Sequence, residues 1–360
     1  MSVQTGTMKM QHDVSLSEMI EAEVQERFRH TEKDHPAVRE LYEHALALEL
    51  ESMGGQTEKD FPSRVMSRPR GKNSLSEGEV PPLSLDPQEL VRETGHLPSL
   101  PSIFGELVDL MSDPSSSSGM FAKVIQRDTA VSARLLKLVN SPYYGFPSKI
   151  ETISRAITLV GTKELSALTL AMSVLKLFKD IPAELVNMKS FWKHSIACGL
   201  VARMFAEKKG DADSEPFFVG GLLHDVGRLI LYMRMPAESG RTLSIALSEN
   251  ILLFGAERRL FGFDHGELGG MLLKHWRLPE RMADMVGHHH APEKAGDPLS
   301  AGILHLADIA VNAVAIGTSG EHYVPPLRGK SWKALQMSEG ALKKILERSR
   351  RQTDELLREN

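Results

Sequence analysis

The sequence contains a single cysteine, Cys198, among 360 residues, which excludes an internal disulfide and any zinc site built from several cysteines. Aromatic residues make up only 6% of the chain, and no uncharged apolar run is long enough to span a membrane. The first residues also lack the apolar core of a signal peptide. Together these absences predict a cytoplasmic protein in a reducing compartment, with no membrane partner.

Neither sign of charge is in large excess, because 43 Lys and Arg stand against 47 Asp and Glu, for a net charge of −4. A broad electropositive surface for nucleic acid is therefore not expected. The sequence lacks the motifs of two enzyme classes. It has no Gly-rich loop after a strand, as nucleotide-binding enzymes have, and no Gly-x-Ser-x-Gly turn, as serine hydrolases have. Cys198 lies in an apolar stretch without catalytic context and is interpreted as a small core residue.

Helical periodicity runs through most of the chain, and no segment alternates strictly between apolar and polar residues over five or more positions. Apolar residues recur three or four positions apart, and Pro or Gly separates the periodic segments. One helix start is especially clear, with Asp86 at the cap position, Pro87 at the first helical position and Glu89 in the first turn. The prediction is an all-α multi-helix bundle with an N-terminal helical subdomain.

Composition divides the chain into five segments. Between 54 and 85, 13 of 32 residues are Gly, Pro or Ser, which is typical of a flexible linker. The C-terminal tail is predicted to form a packing helix or a homodimer contact rather than a nucleic-acid patch, because its charges are mixed: 331–360 contains seven Lys or Arg and five Asp or Glu. The predicted segments are a helical appendage (1–53), the linker (54–85), an N-terminal helical part (86–182), a second helical part (183–318) and the tail (319–360).

Within the second helical part, helices are predicted near 187–208, 216–232, 241–262, 265–275, 279–289 and 298–316. Eight of the 14 histidines fall between positions 194 and 308. Several of these histidines lie inside apolar helical segments, where a polar group without a partner is costly. The candidate functional residues are therefore concentrated in the second helical part.

Adjacent His224 and Asp225 follow the apolar run from Phe217 to Leu223, and a carboxylate buried there without a cation would cost several kcal/mol. A second inward carboxylate, Asp308, shares one helical stripe with His305. His194 is also surrounded by apolar helical neighbours. Imidazole and carboxylate groups from separate helices would be compensated together by a transition metal such as Fe, Mn, Zn or Co.

Each of these residues also has a simpler interpretation. His194 could be a hydrogen-bonded core histidine, His265 could stand at a solvated helix start, and Asp308 could pair with an arginine. The triplet 288–290 could be a loop with one functional member. His224–Asp225 is the pair least readily explained in this way. Three nearby cations could contact phosphate but are interpreted as solvated surface charges: Lys193, Arg228 and Lys274.

Six segments in order give the chain a resemblance to the HDOD family, which is related to the HD-type metal phosphohydrolases. The resemblance extends over roughly residues 95–300. It implies an all-helical fold with an HD-like core and a role in bacterial signal transduction. It also implies a regulatory binding module whose partner is a signalling protein or a small phosphorylated ligand. The segments are Leu97–Pro101, Asp128–Leu136, Asn140–Gly145, Ile153–Gly161, Phe218–Gly227 and His289–Pro292.

The resemblance further implies a metal-ligand set, with one or two divalent transition metal ions. His194, His224 and Asp308 would hold the first ion, His265 and His289 the second, and Asp225 would bridge them. His290 is a reserve ligand. A complete set leaves a metal-dependent phosphohydrolase as the alternative function. Ala291–Lys294 stands where cyclic-di-GMP phosphodiesterases of the HD type carry Gly-Tyr-Pro, which argues against that substrate.

Overall fold

The computed structural model describes residues 16–53, 83, 85–95, 102–141, 144–174, 178, 181–211, 214–338 and 340–357. The ordered secondary structure of these residues is helical, and they contain no strand, which confirms the all-α prediction. The predicted linker lies outside the described residues apart from Leu83 and Leu85. The segment Leu97–Pro101 and Tyr143 lie outside them as well.

The helices are numbered in chain order, and those before residue 182 are α1 (Leu16–Arg27), α2 (Pro36–Met53), α3 (Pro87–Gly95), α4 (Ser102–Ser112), α5 (Ser118–Gln126), α6 (Thr129–Val139), α7 (Ile153–Val160) and α8 (Thr162–Val174). Those that follow are α9 (Met188–Lys209), α10 (Glu215–Leu223), α11 (Val226–Arg234), α12 (Pro236–Ser248), α13 (Leu253–Phe261), α14 (His265–His275), α15 (Glu280–Gly287), α16 (Pro298–Ala313), α17 (Gly329–Leu335) and α18 (Ala341–Leu357). A short 3-10 turn, Pro292–Lys294, precedes α16.

Side-chain caps explain where several helices begin. The Asp128 carboxylate accepts a hydrogen bond from the Val131 amide at the start of α6, and Asp264 accepts one from the Glu267 amide at the start of α14. Asn187 does the same for the Ser190 amide in α9. These bonds satisfy amide groups that a helix N-terminus leaves without an internal partner.

Two predicted helices are each divided in the structure. The helix predicted at 216–232 is α10 followed by α11, because Asp225 leaves the helical conformation with φ −97° and ψ 9°. The prediction of a single helix at 241–262 is wrong in a similar way, because this range contains the end of α12 and all of α13. The chain turns between them at Asn250, whose φ is 54°. The first of these breaks directs His224 and Asp225 toward the interior of the bundle.

Helix α9 lies at the centre of the second helical part and packs against α10, α16 and α18. The α9–α10 approach requires two facing glycines, since a Cβ built on Gly221 would lie 2.5 Å from the Cα of Gly199. A Cβ on Gly227 in α11 would overlap the carbonyl oxygen of His265 in α14. Backbones that approach so closely bring short polar side chains from different helices within reach of one another.

The first and last described helices add to this core. Helix α18 packs against α9 and α2, and Lys193 on α9 pairs with Asp354 on α18 at 2.7 Å. The Arg27 guanidinium at the end of α1 donates to the carbonyl of Ala313 and to Glu49. The tail helix is therefore a packing element, as one of its two predicted roles required. None of the helices in the described ranges combines the length and apolarity needed to cross a membrane.

Candidate metal centre

The first group of possible metal ligands comes from three helices. His194 and Cys198 stand one turn apart on α9, His224 follows the last residue of α10, and Asp308 lies on α16. One donor atom from each of the four lies within 4.8 Å of the other three. The Nε2 atom of His194 is 3.3 Å from Asp308 Oδ1 and 3.5 Å from Cys198 Sγ. All four side chains are buried.

The second group consists of three histidines. His265 is the first residue of α14, and His289 and His290 lie in the turn after α15. Their donor atoms also lie within 4.8 Å of one another, with the Nε2 atoms of His265 and His290 3.0 Å apart. The His290 ring stacks on Phe254, with ring centres 4.2 Å apart.

Asp225 lies between the two groups and offers one carboxylate oxygen to each. Its Oδ2 atom is 3.0 Å from His224 Nε2 and 3.5 Å from His194 Nε2. Its Oδ1 atom is 2.9 Å from His265 Nε2. The structure thus brings together all six residues of the predicted set and places Asp225 in a bridging position. Their action as metal ligands remains a prediction.

Hydrogen bonds from the far side of each ring orient these imidazoles. His224 Nδ1 donates to the carbonyl of Gly221 at 2.7 Å, and His289 Nδ1 donates to the carbonyl of Val286 at 2.7 Å. His265 Nδ1 donates to Glu257 Oε2 at 2.6 Å. A neutral imidazole that donates through Nδ1 keeps the lone pair on Nε2. When these three rings are neutral, their Nε2 lone pairs therefore point toward the interior, in the arrangement usual for metal-binding histidines.

A second observation also fits a metal ion: several buried polar atoms of these ligands make no hydrogen bond. Such an atom is costly when buried, and a cation placed among the ligands would satisfy it. Imidazole, carboxylate and thiol donors together suit Zn, Fe or Co, and imidazole with carboxylate also suits Mn. The buried atoms with no hydrogen-bond partner among the described residues include His224 Nε2, Asp225 Oδ2 and His289 Nε2.

The electrostatic surroundings give the histidines different pKa values. Burial lowers the pKa of His224, but the charges of Asp225 and Asp308 outweigh it and raise the pKa to about 10. Burial, with His265 and His224 nearby, lowers the pKa of His289 to about 3. Without a metal, His224 is therefore a cation at neutral pH and His289 is a neutral ring.

The raised pKa of His224 predicts that the free energy of unfolding of the chelator-treated protein depends on pH. Above the ordinary histidine pKa of about 6.5, folded His224 still binds a proton that the unfolded chain has released. The stabilisation is complete below about pH 6.5, and the free energy of unfolding should fall as pH rises toward 10. Urea unfolding followed by helical circular dichroism at pH about 7 and about 9 measures this change. A midpoint that rises or stays constant would contradict the assignment.

Sequence reasoning missed the polar groups that support the site. Arg228 was expected to be a solvated surface charge, but it is buried. Its Nε donates to Glu257 Oε1 at 3.3 Å, and its guanidinium also bonds to the Ser319 hydroxyl. Burial of the Arg228 charge is tolerated because the carboxylates of Asp225 and Glu321 also lie within 4.0 Å of the guanidinium. One signal could have identified Glu257: it shares a helical face with Leu253 and Leu260.

Two simpler interpretations also need correction. His265 is fully buried, so it is not at a solvated helix start, although Asp264 does cap that helix. Both His289 and His290 face the centre, so the triplet has two members there rather than one. Cys198 is buried, as a core residue should be, but its sulfur faces the first ligand group. Lys274 is exposed, as expected.

Comparison with known proteins identifies a domain family and a shared fold. A sequence profile of the HDOD domain matches residues 97–292. An uncharacterised protein of Treponema pallidum (strain Nichols) is 28% identical over 206 residues. That match takes in 55% of this chain and 39% of the relative, so the chain spans about two fifths of the length of that protein.

Solved structures show the same fold. An HDOD domain protein of unknown function from Geobacter sulfurreducens superposes with a TM-score of 0.60 at 28% identity, covering 75% of this chain and 97% of that one. A Shewanella amazonensis SB2B protein named as a phosphohydrolase candidate superposes with a TM-score of 0.58 at 23% identity, covering 74% and 96% of the two chains. At that identity the second likeness shows the fold alone.

Proposed function

The chain belongs to the HDOD family, and we propose that it is a regulatory binding module of bacterial signal transduction, organised around a buried divalent metal centre. Burial of the ligands is the observation that carries this proposal. His194, His224, His265 and His289 have no exposed surface, and Asp225 is 2% exposed. A phosphoester could not reach these side chains without displacing the helices around them, so the site as folded supports binding and stability rather than turnover.

The proposed metal would be held by His194, His224 and Asp308 on one side and by His265 and His289 on the other, with Asp225 shared. When bound, it supplies positive charge that offsets the buried carboxylates. The chain's own contribution is rigidity, since these ligands come from α9, α14, α16 and the ends of α10 and α15. A site of this kind links metal affinity directly to folding stability.

The partner that we propose is a small phosphorylated ligand, bound in a cleft of about 540 Å³ near the 3-10 turn and the start of α17. Arg328, Lys330 and Ser331 line one side of the cleft, and Glu293 is its acidic group. Arginine and lysine are the usual partners of phosphate. The cleft is connected to the centre through His305, which donates to the His289 carbonyl at 2.8 Å and accepts from the Arg328 amide at 3.4 Å.

A metal-dependent phosphohydrolase is the second candidate, and one observation favours it. Asp225 gives one oxygen to each ligand group, which is the arrangement expected of a two-metal site. Catalysis would require an opened form of the protein, because the ligand atoms are enclosed as described above.

Two measurements distinguish the candidates. Elemental analysis of protein purified without chelator should find about one or two equivalents of a transition metal, and less than about a tenth of an equivalent would remove the metal centre. A panel of phosphodiesters with added Mn or Fe should then show no turnover above that of His224→Ala. Turnover that is present in the wild type and lost in His224→Ala would instead establish the phosphohydrolase.

A further inference from the structure

We propose that Cys198 is itself a ligand of the first metal ion, which is thereby bound through sulfur as well as through imidazole and carboxylate. A thiolate donor favours Zn or Fe over Mn, because softer ligands select softer ions. The inference rests on the proposed metal centre and adds the class of ion that its first group prefers.

The position of Cys198 on α9 places its sulfur beside the other donors. It follows His194 by four residues, so the two side chains lie on the same helical face. The sulfur is 3.5 Å from His194 Nε2, and one donor atom of Cys198 lies within 4.8 Å of those of His224 and Asp308. The side chain has no exposed surface.

The backbone at Cys198 is held in place by the close approach of α10. A Cβ built on Gly221 would lie 2.7 Å from the carbonyl carbon of Cys198 and 2.5 Å from the Cα of Gly199. Helix α10 therefore packs closely against this turn of α9, which fixes the position of the Cys198 backbone beside the ligand group. Cys198 packs within the hydrophobic core, but its sulfur also lies close to the His194 and His224 imidazoles and to the Asp308 carboxylate.

A second observation independently indicates a cation here. His224 Nε2 is fully buried and belongs to the same four-residue group. Asp225 Oδ2 lies 3.0 Å from it but is not aligned for a hydrogen bond, and no other described residue supplies one. His194, Cys198, His224 and Asp308 supply four donors to the first ion, and the shared Asp225 adds a fifth. The second group has three imidazoles and no sulfur, so the two groups differ in the ions they should prefer.

Binding through Cys198 changes the proton balance. The thiol S–H bond breaks, the proton passes to buffer, and the sulfur lone pair binds the cation. Nothing is oxidised or reduced in this step.

Cobalt(II) reports a sulfur ligand directly. The full-length protein, stripped of metal with a chelator and titrated with cobalt(II) chloride, should develop a thiolate-to-cobalt charge-transfer band in the near ultraviolet. Cys198→Ser should lack this band while retaining helical circular dichroism, and its zinc affinity should fall at least about tenfold. Because the chain contains one cysteine, no other thiolate can produce the signal.

The outcomes separate this inference from the proposed function. Cobalt that binds stoichiometrically by elemental analysis, with visible d–d absorption but no charge-transfer band, overturns ligation by Cys198 and leaves the metal centre intact. A band that persists in Cys198→Ser also overturns it. Failure of the wild type to bind cobalt or any other transition metal overturns the metal centre itself. Cys198→Ala, which removes sulfur without adding a hydroxyl, checks that loss of the band does not arise from misfolding.

Discussion

Asp225→Ala is expected to abolish metal binding at both ligand groups and to lower the free energy of unfolding by about 3–5 kcal/mol. The carboxylate lies between three imidazoles, at 2.9 Å from His265, 3.0 Å from His224 and 3.5 Å from His194. Its removal leaves those rings, and the buried Arg228 beside them, with less negative charge. Elemental analysis of the purified variant and urea unfolding measure the two effects.

Two control variants test whether the effect is specific to the site. Asp225→Asn keeps the shape of the side chain and removes its charge, so metal loss in this variant would arise from charge rather than from a cavity. Glu215→Gln removes another buried carboxylate, which pairs with Arg203 at 2.8 Å, and should retain the full metal content. Asp225→Ala with wild-type metal content would contradict the bridging role.

The charge balance around Asp225 explains why simple ion pairs are an insufficient account of this site. Four carboxylates are buried close together, those of Asp225, Asp308, Glu257 and Glu321. Arg228 is the one Lys or Arg that is buried in the described part of the chain. Burial raises the pKa of Glu321, and the amides of Leu253, His322 and Tyr323 donate to it. The charge on the other three carboxylates that Arg228 does not offset is left to protonated imidazoles or a metal ion. In the metal-free protein His224 offsets part of it, which is why its pKa is raised.

Much of the fold could be predicted from the sequence because helical periodicity reports burial directly. The bounds of α14 and the start of α3 follow from periodic apolar residues and their caps. Polar residues inside apolar stretches identified His224, Asp225 and Asp308, since burial of such groups requires compensation.

The parts that could not be predicted depend on contacts between segments. The break at Asp225 does not interrupt the apolar pattern, so periodicity alone merged α10 with α11. Arg228 carries the signature of a surface charge, and only the convergence of Glu257 and Glu321 from distant segments explains its burial. Cys198 likewise has an unremarkable local sequence, and its proximity to Asp308 comes from the packing of α9 against α16.

Gly227→Ala is expected to have the second large effect, a loss of at least about 3 kcal/mol in the free energy of unfolding together with loss of bound metal. The added Cβ would overlap the carbonyl oxygen of His265 and lie 2.9 Å from the amide nitrogen of Gly269. Both obstacles are backbone atoms of α14, which cannot rotate away as a flexible side chain could. Relief requires α11 and α14 to separate, which moves His265 away from Asp225.

A matched substitution isolates this steric cause. Gly255 lies in α13, and a Cβ built there would meet nothing within 4 Å. Gly255→Ala should therefore leave the metal content unchanged and stabilise the protein by up to about 1 kcal/mol, because alanine loses less backbone freedom on forming a helix. Thermal and urea unfolding of the two variants give the comparison. If Gly227→Ala matched Gly255→Ala in stability and metal content, the close approach of α11 to α14 would not be what holds His265 at the centre.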